Sequence, residues 1–267
     1  MLTGICEFDS ARLRYYTKNR IFAIFRGRWI AMPKYSLILL DADGTLFDYD
    51  RAEQQALMRT CLDFELPYCD QVHQDYRAIN QSLWNRLEKG AMQKSQLGQE
   101  RFRQLFAAWD LNSDAGRFNA AYLDNLGDCA FLLPGARDIC QLLHRHCRLA
   151  VATNGMAQVQ RKRLAQSALA PFIAHLIISE ETGYEKPDPR FFKHALQLAK
   201  QENKQEVLMV GDSLSADIQG GKNADIATCW YNRHAAPMVS ECTPDYQIAS
   251  LWELRSVVLL ADELKVP

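Results

Sequence analysis

The chain has 267 residues, 48% of them hydrophobic and 24% charged, which is enough to bury one large core or two modest ones. Its net charge of −1 supplies no general attraction to nucleic acid or anionic membrane, and no apolar run is long enough for a helical membrane span. Eight scattered cysteines without CxxC pairs argue against a zinc site and read as reduced thiols of a cytoplasmic protein, several of them core fillers.

Residues 1–32 form an N-terminal extension. Arg12, Arg14, Lys18, Arg20, Arg26 and Arg28 outnumber Glu7 and Asp9, and the charges interrupt the apolar residues, so no secretory signal fits. Met32 stands just before the first strand of the core. Translation starting there would leave residues 1–31 outside the native product, an expectation that the intact mass of the native protein checks. Leu37-Ile38-Leu39-Leu40 then runs into Asp41-Ala42-Asp43-Gly44-Thr45-Leu46-Phe47-Asp48. An apolar run bounded by turn formers reads as a strand buried on both faces. From about Arg51 to Phe131 the period becomes helical. A helix near Ala52–Leu62 precedes three stripes: Val72, Tyr76, Ile79, Leu83 and Leu87; Phe102, Leu105, Phe106 and Trp109; and Phe118, Tyr122, Leu126 and Cys129. Residues 49–132 are therefore expected to be an all-helical unit whose aromatic residues pack its interior.

After Pro134-Gly135, helices and strands alternate. Helices over 136–146, 157–168 and 189–200 lead into strands 148–152, 176–178 and 207–210. A helix after Ser213 leads into strand 226–230, and a short strand near 246–248 and a helix over 251–264 finish the chain. Strands separated by helices pair in parallel through right-handed crossovers. The expected fold is α/β: a doubly wound, Rossmann-like parallel sheet over 33–48 and 133–267, with the helical unit inserted after the first strand.

Polar residues follow each strand. Asp41 and Asp43 come first, then Thr153-Asn154-Gly155, then Lys186-Pro187, then Gly211-Asp212-Ser213 with Asp217 a turn further on. Ligands of open parallel sheets bind beyond the carboxyl ends of the strands. Crowded carboxylates call for a cation, and Mg²⁺ suits an all-oxygen set. A hydroxyl, an amide and an ammonium match the oxygens of a phosphoryl group. Aspartate can accept a phosphoryl group, and a second carboxylate two residues on can move protons. Singly each residue also reads as a cap, a turn or a solvated charge; their arrival in order at successive strand ends is what points to chemistry.

These four segments resemble, in order, the four motifs of the haloacid dehalogenase (HAD) superfamily, and the helical insert resembles its C1 cap, with the likeness spanning about 33–235. The resemblance implies a mobile cap, Asp41 as nucleophile, Asp43 as acid/base, and Thr153, Asn154 and Lys186 on the phosphoryl group. It implies Mg²⁺ held by Asp41, the backbone oxygen of Asp43 and Asp212, with Asp217 as a further or outer ligand. Dehalogenases of the superfamily lack the second aspartate, so Asp43 favours a phosphatase or phosphomutase. Asp75–Trp84, Glu88–Ala91, Leu176–Glu181, Val207–Asp212 and Ala227–Trp230 are similar to pyrimidine 5′-nucleotidases of the YjjG type. One departure is Gly44, where that branch carries Glu.

The expected activity is Mg²⁺-dependent hydrolysis of a small nucleoside 5′-monophosphate, a pyrimidine one first, through an aspartyl-phosphate intermediate, with no nucleic-acid polymer or membrane as partner. In the cap, Trp84 could stack on the base and Asn80 could read its edge, or both could serve packing alone. A sugar-phosphate or phosphoglycolate phosphatase, a phosphomutase and a non-catalytic binding protein are the alternatives.

Overall fold

The computed structural model describes residues 33–88, 90–238 and 242–259 and, ahead of them, four short strands between residues 6 and 31. Those strands, β1 (Cys6–Asp9), β2 (Arg12–Thr17), β3 (Arg20–Phe25) and β4 (Arg28–Ala31), form an antiparallel meander. The sequence reading assigned no element here. The charges that interrupt the apolar residues alternate with them in part, which is a strand signal as well as an argument against a leader.

A second sheet has six strands in the order β10-β9-β8-β5-β6-β7, every neighbouring pair parallel. They are β5 (Leu37–Leu40), β6 (Arg148–Thr153), β7 (Ile173–Ile178), β8 (Val207–Gly211), β9 (Ala227–Tyr231) and β10 (Tyr246–Ile248). All four residues of β5 are buried, because it pairs with β6 on one side and β8 on the other and both its faces are covered. The chain leaves β5 toward β7 and returns on the other side through β8 to β10, so strand order reverses beside β5. Phe191 and Phe192 of the helix Pro189–Leu198 pack with Leu37, Leu39, Val207 and Met209 in the buried cluster.

Several boundaries differ from expectation. β7 starts at Ile173, earlier than its apolar run, because it is an edge strand whose first half is only partly buried. The segment after Ser213 is a π-helical turn over Leu214–Ile218 followed by a short helix, Gln219–Asn223. The last helix is a 3₁₀ turn, Leu251–Glu253, running into Leu254–Val258; residues 260–264 of the expected helix lie outside the described residues.

The chain divides into two compact units. One is Asp48–Phe131 together with Gln158–Ser167; the other holds the rest, including the six-stranded sheet. The helical unit contains α1 (Tyr49–Asp63), α2 (Asp70–Glu88), α3 (Lys94–Ala108) and α4 (Ala115–Asp128). Phe102 is its hub, with ring centroids of Tyr76, Phe118 and Tyr122 at 5.4, 4.7 and 5.2 Å. The stripe on α2 is shifted at one place: Asn80 is buried while Ile79 is half-buried. Asn80 Nδ2 donates to Glu53 Oε2 at 3.0 Å and to the Tyr49 hydroxyl at 3.3 Å. Arg101, also buried, gives one Nη to Asn80 Oδ1 at 3.5 Å and the other to Asn119 Oδ1 at 2.8 Å. Among the described residues no helix is long and apolar enough to cross a membrane, and the seven cysteines from Cys61 to Cys242 are free thiols.

Burial pushes Glu53 up to about 7, against the hydrogen bond from Tyr49 and the charges of Arg77 and Arg101. A raised carboxyl binds its proton in the folded state over a range where the unfolded chain has lost it. The unfolding free energy therefore falls as pH rises from about 4.5 to about 7 and levels off above. Glu53→Gln keeps the shape and removes that titration. Urea denaturation at about pH 5 and about pH 8 should show a larger loss of stability in the wild type than in Glu53→Gln.

Candidate active site

Three central strands end at one place in the sheet unit. β5 delivers Asp41, and the chain then turns tightly, with Leu46 and Phe47 amides both donating to the Ala42 carbonyl and Gly44 N–H donating to the Phe47 carbonyl. Asp43 sits half-buried in that turn. β6 delivers Ala152 and Thr153, β8 delivers Gly211-Asp212, and Lys186 comes from the loop ahead of the helix Pro189–Leu198.

Lys186 joins these ends. Its Nζ, 3% exposed as a residue, donates to Asp41 Oδ1 at 2.6 Å, Asp217 Oδ1 at 2.6 Å and the Ala152 carbonyl at 2.7 Å. An ammonium has three protons, and each has an acceptor here. Asp217 rides on the π-helical turn and its other oxygen accepts from the Ser213 amide at 3.1 Å. It comes so near β8 that a Cβ on Gly211 would lie 2.0 Å from its Oδ2. Only glycine fits there.

The charges do not balance by themselves. Burial works against the Lys186 ammonium, but Asp217 and then Asp41 outweigh it and hold the amine protonated. Burial pushes Asp41 upward; Lys186 pulls it down, and Asp217 and Asp212 push it up again. Asp212 is exposed to solvent yet closely ringed by protein atoms, and desolvation followed by the charge of Asp217 moves it up to about 7. Carboxylate oxygens of Asp41, Asp212 and Asp217 all lie within 4.8 Å of one another. Three acids against one ammonium leave negative charge uncompensated, and the donors are all hard oxygens. That set fits Mg²⁺.

Asp212 is held from several sides. Thr45 Oγ1 donates to its Oδ1 at 3.3 Å, and the Trp230 indole N–H donates to its backbone carbonyl at 2.9 Å. Gly44 has φ +85°, and a Cβ there would meet Asp212 Oδ2 at 2.4 Å. The glycine at this position thus both makes the turn and leaves room for the acid.

The matching family model is that of haloacid dehalogenase-like hydrolases, over residues 35–225. The chain is 34% identical to the HAD-hydrolase YfnB of Bacillus subtilis, over 85% of this chain and 97% of that one. It is 35% identical to the pyrimidine 5′-nucleotidase YjjG of Escherichia coli (84% and 98% covered). It is 38% identical to the pyrimidine 5′-nucleotidase PynA of Streptococcus pneumoniae (82% and 93%). The crystal structure of YfnB bound to magnesium superposes with a TM-score of 0.81 at 33% identity, covering 85% of this chain and all of that one. The chain belongs to the haloacid dehalogenase-like hydrolases.

In this hydrolase, Asp41, Lys186, Asp212 and Asp217 meet in one cluster, and Thr153 and Asn154 stand at the end of the neighbouring strand. The Thr153 hydroxyl accepts from the Gly155 amide at 2.9 Å, and its own proton is there to donate. The carboxylate of Asp43 is not among the three clustered acids. Asn80 and Trp84 belong to the helical unit, where Asn80 is engaged with Glu53, Tyr49 and Arg101, and the half-buried Trp84 has the Lys94 ammonium 5.8 Å from its ring centre. Sequence reasoning missed the supports: the Ala152 carbonyl, the Thr45 hydroxyl, the Ser213 amide and the Trp230 indole. Thr45 and Trp230 were visible in the motif segments; a backbone acceptor has no sequence signal.

Lys186→Met removes the shared counter-charge of Asp41 and Asp217. Breaking a buried pair in this way costs about 3–5 kcal/mol. The loss should be largest at about pH 8 and smaller at about pH 5, where burial favours proton uptake by Asp41 once its ammonium is gone, as denaturation at both pH values would show.

Proposed function

We propose that this hydrolase is a Mg²⁺-dependent phosphomonoesterase of the cytoplasm acting on small nucleoside 5′-monophosphates, pyrimidine ones first. The observation that carries the reading is Asp41, the last residue before the turn of the central strand, gripped by Lys186 and followed two residues on by Asp43. Likeness to two proteins named pyrimidine 5′-nucleotidases, across most of both chains, supports the substrate class.

Lys186 holds one oxygen of Asp41 and so fixes the carboxylate's rotamer for in-line attack on phosphorus. As the Asp41–phosphorus bond forms, the bond from phosphorus to the nucleoside 5′-oxygen breaks, and Asp43 gives its proton to that oxygen. Asp43 then takes a proton from water as the water attacks the aspartyl-phosphate, releasing phosphate and restoring Asp41. Thr153 offers a hydroxyl proton to the phosphoryl oxygens. Asp41, Asp212 and the backbone oxygen of Asp43 would hold the Mg²⁺, which when bound offsets charge on the phosphoryl group. Both oxygens of Asp217 already accept hydrogen bonds, so its place in this scheme is to hold Lys186. Of the two residues considered for the base, Trp84 keeps part of its ring exposed, whereas the amide of Asn80 is spent on its neighbours.

Steady-state kinetics on a panel of nucleoside and sugar monophosphates, with and without Mg²⁺, tests this. Pyrimidine monophosphates should rank first, chelation should abolish turnover, and Asp41→Asn should lose activity by at least about 10³-fold while still unfolding cooperatively. Equal rates on sugar phosphates would remove the nucleotidase assignment. Release of an isomerised phosphate ester in place of free phosphate would point to a mutase.

A further inference from the structure

Asn154 and Lys186 are joined at two points. Asn154 Nδ2 donates to the Lys186 carbonyl at 2.9 Å, and Asn154 Oδ1 accepts from the Lys186 amide at 2.9 Å. A side-chain carboxamide has the same donor and acceptor as a peptide group, so the pair reproduces one rung of a β-ladder outside any sheet. The contact also fixes which end of the carboxamide is nitrogen, since the reverse orientation would set donor against donor and oxygen against oxygen.

The end of β6 thereby holds Lys186 at both extremities. The Ala152 carbonyl accepts a hydrogen bond from the ammonium, and two residues on the Asn154 side chain bonds both polar groups of the Lys186 backbone. Between them Thr153 is left with its hydroxyl proton to give. A lysine stem has four freely rotating bonds, and its head must meet three acceptors at 2.6–2.7 Å. That arrangement survives only if the backbone it starts from is fixed. A displacement of about 1 Å at such a centre can cost about 10²-fold in rate.

We infer that Asn154 is a positioning residue for Lys186, and through it for Asp41, and that its side chain is not a phosphate ligand. This replaces the role that the sequence motif alone implies for it. The kinetic arm rests on the phosphatase reading above; the exchange arm does not.

The test uses the full chain with Mg²⁺ and compares Asn154→Ala, Asn154→Asp and Thr153→Ala. Three quantities are read: kcat and KM, the inhibition constant of inorganic phosphate, and hydrogen exchange of the peptide containing the Lys186 amide. Asn154→Ala should lower kcat by about 10–100-fold, leave the phosphate inhibition constant within about twofold, and speed exchange at Lys186. Thr153→Ala should instead raise the phosphate inhibition constant and leave Lys186 exchange unchanged. Asn154→Asp keeps the acceptor but sets a carboxylate oxygen against the Lys186 carbonyl, so it should speed exchange as well, and it carries the test if the alanine variant does not fold. An Asn154 variant that weakens phosphate inhibition as much as Thr153→Ala does, or that leaves Lys186 exchange at the wild-type rate, overturns the inference. If the wild type turned over no monophosphate, the functional reading would fall, and the exchange measurement would still decide the clasp.

Discussion

One buried ammonium between two buried carboxylates sets the terms for everything around it. Lys186 costs solvation wherever it is placed in the interior, and only a full set of acceptors at hydrogen-bond distance offsets that cost. Asp41, Asp217 and the Ala152 carbonyl are that set, and they come from three different segments of the sheet unit. The parallel sheet matters to the chemistry because it ends these segments side by side. A slip of one residue in β5 would turn Asp41 to the other face and leave Lys186 short of a partner.

The surrounding residues serve this centre through shape as much as charge. Glycine at 211 lets Asp217 lie against β8, and glycine at 44 lets Asp212 lie against the first turn. Thr45 and Trp230 then hold Asp212 by its side chain and its backbone. The resulting excess of negative charge suits a divalent cation and a phosphoryl group arriving together. The helical unit is organised differently: a cluster of aromatic rings around Phe102, with Glu53, Asn80 and Arg101 forming a polar group within it.

Much of the sheet unit was legible in the sequence. Uninterrupted apolar runs marked β5, β6 and β8, and the polar residues following each run placed Asp41, Thr153, Lys186, Asp212 and Asp217 at one edge. The failures have physical causes. β2, β3 and β4 carry Arg, and β1 Glu and Asp, beside their apolar residues, and such a pattern reads equally as exposed coil until pairing decides it. β7 began early because an edge strand needs no apolar run. Asn80 went inside in place of Ile79 because Glu53 and Arg101 lie buried where it arrives, and a tertiary partner of that kind has no trace in a helical period. The structure joins Asn154 and Asp217 to Lys186 by hydrogen bonds, a pairing that residue type alone does not distinguish from holding a ligand.

The central claim is that Asp41, set in place by Lys186, accepts the phosphoryl group. Rapid mixing of the Mg²⁺-loaded protein with a pyrimidine nucleoside monophosphate, acid quenching within one turnover and peptide mapping tests this most directly. The account predicts one acid-stable, base-labile phosphoryl group on the peptide carrying Asp41, with none in Asp41→Asn. Full turnover with no label on that peptide, or label on another residue, would contradict it.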